Sequence, residues 1–206
     1  MKFAGNDMNK REFFDSLAVE WDRQIQDDEE ESQRRFRELV EALPPKRGDW
    51  VLDVGSGTGV LIPYLREATG KRGRIVELDF SLEMLRMAKK KHSEGRMSFL
   101  QADAHDLCLK EETFDAVICF STFPHFHNQA SVLREFRRVL KSGGQLIIIH
   151  FMSREEINAF HARVVGPVRK DMLPDHDDMA RLLTRAGFRD ISIEDRPSFY
   201  HARAKA

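Results

Sequence analysis

From about residue 50 onward, short apolar runs alternate with longer stretches in which apolar residues recur at helical spacing. Val51, Leu52 and Val54 follow Trp50 as a run apolar on both faces, which suits a strand covered on both sides. Residues 74–79 (Arg-Ile-Val-Glu-Leu-Asp) and 97–101 (Met-Ser-Phe-Leu-Gln) read as a second and third strand. Phe114 to Phe120 reads as a fourth, apolar on both faces and so central, and Gln145 to Phe151 as a fifth. Helices fall between them. Val60, Leu61, Ile62 and Leu65 cluster at the start of one; Leu82, Leu85 and Ala88 share a face over 82–92, with Ser81 as cap. Val132, Leu133, Phe136, Val139 and Leu140 share a face over 129–140, capped by Asn128 and ended by Lys141-Ser142-Gly143-Gly144. Ser153 caps a helix from Arg154 to about Val165, broken by Gly166-Pro167, and Asp175 caps another over 176–186. Two strands, about 188–195 and 198–205, follow.

Residues 1–45 predict a helical, peripheral segment. Phe13, Phe14, Leu17, Ala18 and Trp21 give it one apolar face, and Asn9 or Asp7 is placed to cap its first turn. The acidic run Asp27 to Glu31 precedes Arg34, Arg35 and Arg37, matching the macrodipole of a helix over about 28–43 with a solvated charged face. Leu43-Pro44-Pro45 stops that helix, and Lys46-Arg47-Gly48-Asp49 turns into the first strand.

The 206 residues suffice for one domain with a full core. Lys plus Arg number 33 and Asp plus Glu 34, a formal net charge of −1, which lacks the electrostatic footprint of a dedicated nucleic-acid binder. Cys108 and Cys119 have neither a metal-ligand nor a disulfide-framework spacing, so a reduced, cytoplasmic location is expected. No apolar run approaches the roughly 20 residues that span a bilayer, and the first residues lack an apolar signal core.

The chemistry concentrates at Val51-Leu52-Asp53-Val54-Gly55-Ser56-Gly57-Thr58-Gly59. A strand, a glycine turn and a helix make the nucleoside-binding unit of open α/β sheets. The dinucleotide fingerprint is G-x-G-x-x-G; here the glycines alternate, and Asp53 stands two residues before the first. A carboxylate there repels a pyrophosphate and attracts a cation such as the ammonium of S-adenosylmethionine (SAM). Asp79, 20 residues after Gly59 at a strand's end, is placed to accept both ribose hydroxyls, with Glu77 on the same strand face as its rival.

These residues resemble motif I of the class I SAM-dependent methyltransferases. Phe80-Ser81-x-x-Met84-Leu85-x-x-Ala88 matches that family's second motif, and Arg138-x-Leu140-Lys141-Ser142-Gly143-Gly144 before an apolar strand is typical of it. The resemblance covers about residues 48–151 closely. The leading stretch Phe13-Phe14-Asp15-Ser16-Leu17-Ala18-x-x-Trp21-Asp22 is similar to that of small-molecule, quinone-biosynthesis-like members, where it folds over the cofactor. The resemblance implies a Rossmann-like, doubly wound α/β fold with a seven-stranded, mostly parallel sheet. It implies a single domain over 1–206, with a helical cap (1–45), a SAM-binding core (46–151), a lid after strand five (152–178) and a C-terminal portion (179–206). It implies SAM as cofactor and S-adenosylhomocysteine (SAH) as product. Asp53, Gly55, Ser56, Gly57 and Gly59 would hold the methionine end, Asp79 and Phe80 the nucleoside, and Asp103 and Ala104 the adenine; Phe120 ends the strand that faces the methyl group.

Methyl transfer from a sulfonium is an in-line displacement that needs alignment, desolvation and sometimes removal of a proton from the acceptor. His125 and His150 are placed by the topology as candidate bases. Phe14, Trp21 and His127 are candidate acceptor-pocket residues, as are Arg154, Asn158 and His161, at i, i+4 and i+7 on one helix face. His125, His127, His150, His161 and His176 have no spacing that fixes a metal site, so no metal is expected. The loop after the fourth strand lacks both the D/N/S-P-P-Y/F/W motif and the Pro-Cys nucleophile of nucleobase methyltransferases. The expected function is therefore methyl transfer to a small molecule, with an aromatic, quinone-like or thiol acceptor favoured. Two alternatives stand beside it: a non-catalytic SAM-binding protein, and an NAD(P)-linked oxidoreductase. The second calls for G-x-G-x-x-G and a Tyr-x-x-x-Lys pair, whereas the tyrosines are Tyr64 and Tyr200. The acceptor atom and the oligomeric state stay open.

Overall fold

The computed structural model describes residues 8–21, 36, 45–92 and 95–206. The helix expected over 28–43 lies outside them except for Phe36, which is helical and buried.

Seven strands form one sheet: β1 (Trp50–Val54), β2 (Arg74–Asp79), β3 (Met97–Gln101), β4 (Phe114–Phe120), β5 (Leu140–His150), β6 (Arg189–Arg196) and β7 (Phe199–Lys205). Their order is β3-β2-β1-β4-β5-β7-β6. The first five run parallel, and β7 is antiparallel to both β5 and β6. The helices are α1 (Lys10–Leu17), α2 (Ile62–Thr69), α3 (Leu82–Lys91), α4 (Gln129–Val139), α5 (Arg154–Arg163) and α6 (His176–Arg185). This is the doubly wound Rossmann-like arrangement expected. Successive crossovers lead outward from β1 on one side and from β4 on the other, so the crevice of such a sheet opens where β1 and β4 end.

Local chemistry explains most boundaries. The side chains of Asn9, Ser81, Asn128, Ser153 and Asp175 each accept a backbone N–H in the first turn of the helix that follows, and Asn9 and Ser153 complete capping boxes. β5 departs from expectation. It begins at Leu140 rather than Gln145, because Leu140 pairs with Phe114 before the register slips, and Gln145 then pairs with Ala116. The intervening residues bulge, and Gly143 N–H donates to Ala206 O at 3.0 Å. Lys141 closes the bulge by donating to both Asp115 carboxylate oxygens at 2.7 Å.

Two apolar layers sandwich the sheet. Phe114, Leu133, Phe136, Leu146, Met179 and Tyr200 belong to the larger; Phe36, Leu61, Leu65, Ile118 and Ile147 belong to the other. A third cluster, Phe13, Leu17, Ala18, Met84 and Val168, seats α1 on α3 and carries it across the crevice. Among the described residues no helix is long and apolar enough to cross a membrane.

The turn after β1 is held to β2 by its backbone: Gly55 N–H and Ser56 N–H both donate to Leu78 O, at 2.7 and 3.1 Å. Gly55 has φ +66°, and a Cβ built there would stand 2.2 Å from Thr122 Oγ1. The turn after β1 and the loop after β4 therefore touch where an L side chain is both strained and obstructed. Gly55→Ala is expected to lower stability by roughly 2–4 kcal/mol, read as a shifted urea midpoint with an unchanged slope. A loss under about 0.5 kcal/mol would show that the two loops separate at no cost.

Candidate active site

The ends of β1, β2 and β4 and the inner face of α1 enclose a cavity of about 220 Å³. Its floor is the glycine turn: Val54, Gly55, Ser56 and Gly57 line it. One wall is Asp79, Phe80, Ala102, Asp103, Ala104 and His105; the other is Phe120, Ser121, Thr122, His125, Phe126 and His127. Lys10, Phe14 and Trp21 close it from the α1 side.

Asp79 sits at the junction. Its Oδ2 accepts from Gly57 N–H at 2.9 Å and its Oδ1 from Ser81 N–H at 2.8 Å, so one carboxylate fixes both the turn and the start of α3. Burial raises its pKa to about 6 against these bonds. Asp103 is exposed at the cavity rim. Its Oδ1 accepts from His105 N–H at 2.9 Å and from His105 Nδ1–H at 2.5 Å. Burial works to raise the Asp103 pKa, but the His105 bonds outweigh it and hold the group below its ordinary value. His105 Nε2 accepts from Asn128 N–H at 3.3 Å, which sets its tautomer, and its ring stacks on His127 at 3.8 Å.

Asp53 and Gly59 do not line the cavity. Asp53 lies beneath the turn, 1% exposed, opposite Glu77 in the β1–β2 register. Burial raises the pKa of both, and for Glu77 the neighbouring Asp53 adds to the rise. Glu77 is enclosed there, which leaves Asp79 as the β2 acid that faces the cavity. Gly59 packs toward α2 and α3, where a Cβ would stand 2.6 Å from Ile62 Cδ1.

The two candidate bases separate. His125 faces the cavity, and its Nδ1–H donates to Asp171 Oδ2 at 2.7 Å. Lys10 Nζ donates to Asp171 Oδ1 at 2.6 Å and to His125 O at 2.8 Å. Burial works to raise the Asp171 pKa; the bonds from His125 and Lys10 prevail and lower it. The dyad leaves His125 Nε2 without a hydrogen bond among the described residues. His150, by contrast, is buried beside Tyr200, and burial and then the nearby His125 and His161 depress its pKa to about 3. It does not line the cavity. The expectation of His150 as a base is thus corrected: the end of β5 turns its ring into the protein.

The polar face of α5 is also corrected. Arg154 N–H donates to Asp195 Oδ1 at 2.9 Å, toward the sheet edge. Asn158 exchanges two hydrogen bonds with the Leu173 backbone, at 2.8 and 3.1 Å. His161 Nδ1–H donates to Asp171 O at 2.9 Å, and its ring lies 5.0 Å from that of His125. None of the three lines the cavity; Asn158 and His161 hold the segment that carries Asp171. Phe14 joins the two walls, with its ring 5.7 Å from Phe80, 5.1 Å from His125 and 5.9 Å from Trp21. Sequence reasoning missed Lys10, His105, Thr122 and Asp171. None belongs to a motif, and Asp171 is 46 residues from the histidine it holds. Among the described residues no group of three or more His, Cys, Asp or Glu is arranged to hold a metal.

The donor set suits an adenosyl sulfonium: acids at the end of β2 and just beyond β3, an opposite wall rich in aromatic rings, and orphaned buried carboxyls beneath the floor. A family model described as a methyltransferase domain matches residues 52–148. The ubiquinone/menaquinone biosynthesis C-methyltransferase UbiE of Cronobacter sakazakii is 29% identical over 185 residues, covering 77% of this chain and 73% of that protein. The crystal structure of a SAM-dependent methyltransferase from Aquifex aeolicus superposes with a TM-score of 0.69 at 25% identity, covering 93% and 97% of the two chains. The chain belongs to the class I SAM-dependent methyltransferases. The fold is shared more widely. The methyltransferase bound to the Haloferax volcanii Trm112 activator aligns with a TM-score of 0.75 at 22% identity, over 94% of this chain and 97% of that one.

In this methyltransferase the buried Asp53 carboxyl carries a pH signature. Its raised pKa means that the folded chain keeps a proton that the unfolded chain, with the ordinary value of 3.8, surrenders as pH rises. Folding is therefore penalised progressively from about pH 4 upward. Asp53→Asn removes that penalty, so the variant's stability advantage over wild type is expected to grow between pH 5 and pH 7, by roughly 2 kcal/mol. An advantage that is flat or shrinking across that range would place the carboxylate in water.

Proposed function

We propose that this methyltransferase acts on a small aromatic acceptor bearing an ionisable hydroxyl, with His125 as general base. The observation that carries this reading is the His125–Asp171 pair at 2.7 Å on the cavity wall opposite the acids. Asp171, anionic and bonded through Nδ1–H, holds the imidazole so that Nε2 is its basic atom. Lys10 neutralises the other Asp171 oxygen and ties the same assembly to α1.

SAM, when bound, supplies a methyl group on a sulfonium that is open to in-line attack. Ser56 and Gly57 would support its methionine end, Asp79 its ribose, Phe80 a face of the nucleoside, and Asp103 with Ala104 its adenine; Phe120 would lie toward the reacting carbon. The acceptor would lie between Phe14, Trp21, His125 and His127, where aromatic walls favour a flat ring and exclude water. Deprotonation of a ring hydroxyl by His125 would enrich both the oxygen and the ring carbons beside it. Relatives named for carbon methylation in quinone biosynthesis favour the carbon as acceptor atom.

Incubating the protein with methyl-deuterated SAM and a cell extract, then fractionating by mass, identifies the acceptor. Label in one small aromatic molecule is expected; label in protein or nucleic acid would overturn the acceptor class. With that acceptor, His125→Ala is expected to lower kcat about 100-fold or more while leaving SAH affinity within twofold. Asp171→Asn should lower kcat less and displace the pH–rate profile, because it loosens the ring rather than removing it. An unchanged kcat for His125→Ala would end its role as base.

A further inference from the structure

Beneath the glycine turn lies a charge problem that methyl transfer does not use. Asp53 and Glu77 are Cα partners on adjacent parallel strands, and both side chains are buried. Neither carboxyl, nor Ser56 Oγ beside them, has a hydrogen-bond partner of good geometry among the described residues. The titratable groups that face the pair are themselves acids: Asp79 from β2, Cys119 from β4 and, behind Asp79, Asp15 from α1. Two neighbouring carboxyls in a low-dielectric interior, without donors, do not both ionise, so one proton stays between them. Ser56 connects this pair to the cavity, since it lines the cavity floor and also adjoins Glu77. A cation arriving above the turn is the event that would stabilise the doubly ionised state.

We propose that Asp53 and Glu77 share one proton beneath the glycine turn and release it when the ammonium of SAM or SAH docks above Ser56, so that cofactor binding is proton-linked. The inference rests on the assignment of the methionine end to the glycine turn. One carboxyl O–H bond breaks, its proton passes to solvent, and the negative charge left behind is met by the ligand's ammonium. Glu77, which is buried and does not line the cavity, thereby becomes a determinant of cofactor affinity. Association of a singly protonated pair with a cation favours the ionised form, so affinity rises with pH until the pair is fully ionised.

Isothermal titration calorimetry with SAH, in buffers of different ionisation enthalpy between pH 6 and 7.5, counts the protons. The comparison ligand is 5′-methylthioadenosine, which keeps the adenosine and thioether but lacks the ammonium. Asp79 also titrates and would answer the ribose of both ligands alike, so the difference between them isolates the pair. SAH is expected to release about half a proton or more beyond methylthioadenosine, and its affinity to rise by up to about tenfold per pH unit. Glu77→Gln should abolish that difference while methylthioadenosine binds as before. Equal proton counts for the two ligands on the wild-type protein would overturn the proposal, whether or not the variant folds. So would a Glu77→Gln protein that keeps the difference. SAH binding without excess release would sink the proton linkage alone; failure of SAH to bind at any pH would sink the cavity assignment with it.

Discussion

The site depends on how closely three backbone segments meet at the ends of β1, β2 and β4. Leu78 O takes two N–H groups of the glycine turn, Asp79 takes a third from Gly57, and Thr122 stands where a side chain on Gly55 would be. Strand pairing brings the two acid-bearing ends together, and the absence of a Cβ at Gly55 lets the loop after β4 close over the turn. If any of the three drew back, the cavity would lose its floor or one of its walls.

That convergence gives the cavity two faces of different chemistry. The β2 and β3 ends bring Asp79 and Asp103 to one side, with Asp53 buried beneath the turn behind them, and their environments differ accordingly. Burial raises Asp53 and Asp79, while Asp103 at the rim is held low by His105. The β4 end brings aromatic rings and His125. An adenosyl sulfonium is cationic at one end and flat at the other, and methyl transfer disperses the sulfonium charge in a site closed to water. A wall of acids facing a wall of rings answers both needs.

α1 is the third component, and it is attached at both of its polar ends to the parts it covers. Asp15 accepts from Ser81 Oγ at 2.5 Å, beside the residues of the second motif, and Lys10 reaches Asp171 and His125. Phe14, between them on the helix, touches Phe80 and His125. One short helix thus spans the Phe80–Ser81 side and the His125 side of the cavity, and its position decides whether Asp171 has a cation beside it. The apolar cluster with Met84 and Val168 makes that position a packing consequence as well as an electrostatic one.

Periodicity and local chemistry were enough to read the strands, the helix caps, the order of elements and the glycine turn with its acids, because each is written in residues near one another in the chain. Those same residues carry the family resemblance, so the SAM-dependent fold was legible before any coordinates. The sequence placed Asp79, Asp103 and His125 at strand ends, where a doubly wound sheet opens. It was silent on depth and direction. That Asp53 lies under the turn, that Glu77 is enclosed beside it, and that His150 faces the interior follow from sheet register and from how layers close over each strand. Arg154, Asn158 and His161 share a helix face as the spacing says, yet what that face meets was set by tertiary packing: Asp195 of β6 for Arg154, and the segment carrying Asp171 and Leu173 for Asn158 and His161. The His125–Asp171–Lys10 group joins positions 46 and 161 residues apart. No local period or motif encodes such a contact, because it arises only when separate elements pack on a common sheet and bring their ends together.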